Sequence, residues 1–245
     1  KGADLMNNYP NEQPEARKVV NNAAGLNTFL TKMYGWMSLA VLVSAATAFL
    51  VSGSVAGGMA VYIAAHRGVM WGSIILWFIL PFIISIQALK RPTLAFTVLM
   101  LYSILSGFVF ATVAWAYTGA SIAAAFVSAS AIFITMTTVG LVTNKSLVRW
   151  GAQVTAALIA LVIAMVINIF LRSSMISFVL SIIAVIIFTV LTAYDTQKMK
   201  QMYNQYAGNG EVSMTGLAVF GALQLYLDFV NLFIQLLSIF GNNER

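Results

Sequence analysis

Seven apolar runs divide this chain, near residues 33–52, 69–88, 93–115, 119–142, 150–171, 175–194 and 217–240. A helix needs about 20 such residues to cross the hydrocarbon of a bilayer, where only helices and closed barrels satisfy their own backbone groups. The runs are continuous rather than alternating, so they read as helices. The expected fold is an all-α integral membrane protein, a bundle of seven transmembrane helices over residues 33–242. Residues 1–32 are polar and lack the apolar core of a signal peptide, so they read as a cytoplasmic tail. Charged residues make up 8% of the 245, against about 25% in a soluble domain, which leaves no room for a soluble catalytic unit.

Lys and Arg set the orientation. Lys1, Arg17, Lys18 and Lys32 in the tail fall on one side together with Lys90, Arg91, Lys145, Arg149, Lys198 and Lys200 in alternate connections; Arg67, Arg172 and Arg245 fall on the other. The bias places the N-terminus in the cytoplasm and the C-terminus outside. The net charge of +6 is then a topological signal, and no nucleic-acid partner follows from it. The chain has no cysteine and a single histidine, His66. Disulfides and thiol nucleophiles are excluded, and the usual ligand sets of transition metals are missing. Most connections are short, which makes consecutive helices antiparallel neighbours. The longest cytoplasmic connection, 198–212, carries Gly208 and Gly210 and is expected to be the flexible one.

The last run carries a polar stripe. Gly221, Gln224, Asp228, Asn231, Gln235, Ser238 and Asn242 recur at intervals of three and four residues, which puts them on one helix face. Such a face inside a membrane must turn toward other helices or a water-filled cavity, so the C-terminal helix is expected at the centre of the bundle. Gln224, Asn231 and Gln235 read as pore-lining groups or as hydrogen-bonding contacts between helices. Asp228 is an ionisable group amid lipid-like neighbours and is a candidate functional residue. A second acid, Asp195, ends the predicted sixth span in TAYDTQKMK. Two carboxyls held close together on antiparallel helices share a proton and so sense pH; ionised, they offer hard oxygens to Ca²⁺. One geometric strain attaches to this pairing. At 1.5 Å per residue Asp228 lies roughly 16 Å along its helix from Leu217, whereas Asp195 stands at the edge of its span.

At Tyr194-Asp195 and at Leu225-Tyr226-Leu227-Asp228-Phe229-Val230-Asn231-Leu232-Phe233 the sequence resembles the bacterial branch of the transmembrane Bax inhibitor motif family, the Bax inhibitor one group. The resemblance implies six helices around a central C-terminal one, in a bacterial inner membrane. It also implies a pH-sensitive calcium leak governed by paired aspartates, here Asp195 and Asp228, with calcium ions and protons as the species bound and no organic cofactor. A basic residue near the junction of the second and third helices is implied as a latch cation, here Lys90 or Arg91. Other readings compete. A non-conducting regulator of a membrane-anchored ATP-dependent protease would use the polar tail. An intramembrane aspartyl protease would also use two aspartates, one of them in a Tyr-Asp pair; but Leu225-Tyr226-Leu227 precedes Asp228 where those enzymes have Gly-x-Gly, so no enzymatic activity is expected.

Overall fold

A computed structural model describes residues 23–52, 66–114, 116–207 and 212–242. Over these residues the chain forms α1 (Ala23–Ser52), α2 (Arg67–Ala88), α3 (Pro92–Ala114), α4 (Gly119–Val142), α5 (Gly151–Leu171), α6 (Ser174–Tyr206) and α7 (Met214–Asn242), with a 3₁₀ turn at Leu147–Trp150. Six of them are long and apolar enough to cross a membrane. The crossing expected at 69–88 corresponds to α2, whose apolar stretch by the same measure is Ile75–Ala88 and which contains Pro81.

Two tight connections show how neighbouring helices are turned antiparallel. Thr118 caps α4, its hydroxyl accepting from the Ser121 amide at 3.2 Å. Between α5 and α6 the chain reverses over two residues: Arg172 adopts a left-handed conformation (φ 53°), and Ser173 caps α6 by accepting from the Ile176 amide at 3.3 Å.

The last helix occupies the middle of the bundle. It packs against α1, α2, α3, α4 and α6, whereas α5 leans chiefly on α6. Of the apolar window of α7, 67% is buried, against 6% for α5. Small residues make the central position possible: at Gly216 a side chain would run into the backbone of Ala88, and at Gly221 into the sulfurs of Met33 and Met199. The outer faces are apolar, with Phe49, Phe82, Phe170 and Met175 all exposed, as a lipid-facing surface requires.

Two boundaries differ from the sequence reading. The expected tail 1–32 gives way to helix at Ala23, and residues 1–22 lie outside the described residues. The sixth helix does not end near 194 but runs on to Tyr206, so most of the connection expected at 198–212 is helical; Gly208 and Gly210 fall outside the described residues. The reason is tertiary. Met199 and Tyr203 on the polar extension are buried, and Tyr203 packs against Phe29 of the early α1 with ring centroids 5.0 Å apart. The two extensions support one another beyond the apolar spans. Lys1, Arg17, Lys18, Glu211, Glu244 and Arg245 also lie outside the described residues, and the orientation of the bundle rests on the charge bias alone.

Candidate functional site

The extension of α6 removes the strain on the aspartate pair. Asp195 stands 11 residues before Tyr206 and Asp228 stands 14 residues after Met214. At about 1.5 Å per residue the two lie roughly 16 and 21 Å from the same end of an antiparallel pair, nearly level. Their carboxyls are within hydrogen-bonding reach of each other. Each residue is 5% exposed. Two carboxylates have no proton to donate, so a hydrogen bond between them requires that one be protonated. Asp228 Oδ2 is buried, and no protein donor reaches it.

Lys198, one turn further along α6, acts electrostatically on both carboxyls. Its Nζ sits 5.7 Å from the centroid of the Tyr194 ring. Lys90 and Arg91, the expected latch cations, are exposed at the α2–α3 turn, where their backbone amides donate to the Gln87 carbonyl at 3.1 and 2.7 Å. Among the described residues no group of three His, Asp or Glu side chains gathers as a metal site.

The surroundings of the pair are built to hold α6 still. Tyr34 of α1 donates to Thr196 Oγ1 at 3.3 Å. The Gln197 amide ties down the α4–α5 connection, accepting from the Leu147 amide at 2.7 Å and donating to the Lys145 carbonyl at 2.9 Å. Lys200 Nζ donates to the Leu141 carbonyl at 2.8 Å, satisfying an end of α4. On the opposite side of α7, Tyr226 and Ser44 of α1 share a hydrogen bond of 2.6 Å, and Ser44 Oγ also lies 2.9 Å from the Ser103 carbonyl of α3. The Tyr226 ring meets that of Tyr102 edge-on at 5.8 Å. Central α7 is thus pinned on one face by a hydroxyl and offers a carboxyl on the other.

Sequence reading missed Gln197 and Thr196, because residues that follow the second aspartate carry no periodic signal. Tyr226 lies inside the quoted motif, yet nothing in a single sequence assigns its partner on α1. The rest of the stripe divides. Asn231 Nδ2 donates to the Leu227 carbonyl of its own helix at 2.8 Å, a packing role. Gln235 and Ser238 line a cavity near the end of α7, and Ser238 Oγ lies 3.2 Å from Ser181 Oγ of α6. Gln224 is half-buried.

Comparison with known proteins matches the sequence to a family. A family profile described as "Inhibitor of apoptosis-promoting Bax1" matches residues 26–245. The inner membrane protein YbhL of Escherichia coli (strain K12) is 36% identical over 232 residues, 94% of this chain and 98% of YbhL. A membrane protein of Streptococcus pyogenes (serotype M1) is 37% identical over 90% of this chain and 95% of its own length. A protein of Caulobacter vibrioides is 32% identical over 99% of both chains. With its apolar helices, the chain is a multi-pass protein of the bacterial inner membrane. It belongs to the Bax inhibitor family, as Tyr194-Asp195 and the motif around Asp228 imply.

Proposed function

We propose that this protein is a pH-sensitive calcium leak, with Asp195 and Asp228 as its proton-operated latch. The observation that carries the reading is the contact between two buried carboxyls where the central helix meets α6. While one proton is shared, the pair is a hydrogen bond that holds α7 against α6. Raising the pH removes that proton and leaves two like charges side by side. Two unit charges about 4 Å apart at an effective dielectric near 20 interact by roughly 4 kcal/mol, enough to shift a packing equilibrium whose states differ by a few kcal/mol. The sign follows: the closed packing is favoured at low pH and weakens as pH rises. Lys198 offsets part of the repulsion.

Calcium enters as the species carried. The pair supplies at most four oxygens where the ion takes about 6–8, so water completes the shell and the ion passes rather than stays. On this reading the chain conducts; it neither cleaves a substrate nor needs a cofactor. The test is calcium flux into proteoliposomes as a function of pH. Wild-type flux rises with pH, and Asp195→Asn and Asp228→Asn each flatten the profile. An unchanged profile in both variants removes the pair from the mechanism.

A further inference from the structure

A cavity of about 510 Å³ opens where α3, α5, α6 and α7 come together near the C-terminal end of α7. Seven of its twelve lining residues carry a hydroxyl or an amide and none is charged; these polar groups are set among apolar surface that makes up the larger part of the wall. A void of that size has room for on the order of ten waters, for which the hydroxyl and amide groups are the available partners. Ser181, Gln235, Ser238, Tyr117 and Asn168 are among the polar residues that line it. Tyr117 packs its ring against the backbone of Gly241, where an added methyl would collide with the ring.

The position of the cavity matters more than its volume. Ser238 and Gln235 belong to the same α7 face as Asn231 and Asp228, and Asp228 lies seven residues from Gln235, about 10 Å along the helix. On α7 the lining stops at Ile234; Asn231 and Asp228 are not part of it. Beside that interval Phe229 and Phe233 of α7 pack edge-on with Phe126 of α4, at centroid distances of 5.7 and 6.3 Å. The cavity and the aspartate pair are thus aligned on one helix face and separated by nearly two turns of packed protein.

We propose that this cavity is an aqueous vestibule through which small cations approach Asp228, its neutral oxygens replacing part of their hydration shell. Its role in transport rests on the leak reading; its filling with water does not. The absence of cysteine gives an unreactive background for thiol labelling. In proteoliposomes, S238C and Q235C react with a charged, membrane-impermeant methanethiosulfonate added on one side only, at least tenfold faster than L236C, whose position is buried. Modification of S238C lowers calcium flux at least tenfold. Adding G241A displaces Tyr117 and changes the S238C labelling rate without a new thiol, a check that survives if Q235C misfolds.

Labelling by an apolar maleimide but not by the charged reagent means a lipid-filled cleft and overturns the proposal. Full flux after complete S238C modification means a blind pocket and overturns it as well. A wild type that carries no calcium at any pH defeats the leak reading, and the vestibule's transport role with it; labelling then still decides whether the cavity holds water.

Discussion

An aspartate with one buried oxygen, Oδ2, that no protein donor reaches, held against a second aspartate, is the residue-scale basis of the proposed function. Both residues were legible in the sequence, because acids are scarce in this chain and each stands in a short motif. Their surroundings were less so. Lys198 stands beside Asp195 in the sequence as a candidate interfacial ion-pair partner, but its action on both carboxyls shows only once α6 is seen to continue past it, and Ser44 carries no mark that would join it to Tyr226. Tyr226 offers a test of what pins α7. In Tyr226→Phe the Ser44 hydroxyl keeps its carbonyl contact to Ser103, but the lost hydroxyl is also within reach of Ser103 and Ser106, so the loss is one or two hydrogen bonds, about 0.5–1.5 kcal/mol each. Thermal unfolding in detergent is expected to show a correspondingly small drop, while the pH at which calcium flux rises stays in place. A displaced pH profile would assign Tyr226 to the sensor rather than to the scaffold.

At the scale of elements, helix existence and order followed from hydropathy, whereas helix length did not. Apolar runs end where hydrocarbon ends, but α1 and α6 continue beyond it because Phe29, Met199 and Tyr203 give their polar extensions something to pack on. That continuation brings Asp195 level with Asp228, so the one geometric objection from sequence came from equating a helix with its apolar part. The central place of α7 was legible from the stripe, and its glycines explain how closely the neighbours approach. Gly216→Ala and Gly221→Ala separate two kinds of close contact. At 216 the obstacle is the backbone of Ala88 and Leu89, within 3.2 Å of an added methyl, which cannot swing away. At 221 it is the ends of two methionine side chains, which can. Gly216→Ala is expected to cost about 1–3 kcal/mol and Gly221→Ala less than about 1 kcal/mol, compared by thermal unfolding in detergent. Equal costs would mean that α2 yields as readily as a thioether.

For the whole molecule, the bundle around a central C-terminal helix was readable from polarity, because a polar face in lipid has nowhere else to go. Orientation depends on a charge bias spread partly over residues outside the described bundle, so it stands as a prediction. A reporter active only outside the cytoplasm is expected to work when fused after Arg245 and to fail when fused before Lys1, and the reverse pattern would invert the bundle. The cavity near the end of α7 was not legible at all, since five separate segments build it. The proposed function rests on one claim: the assembly is held closed by a proton between Asp195 and Asp228. Infrared spectroscopy of the protein in lipid tests it most directly, by following the carbonyl stretch of a buried protonated carboxyl against pH. A band should be present at low pH, disappear over the range in which calcium flux rises, and change in both Asp195→Asn and Asp228→Asn. A spectrum without that band while the protein is closed, or a band indifferent to both substitutions, would contradict it.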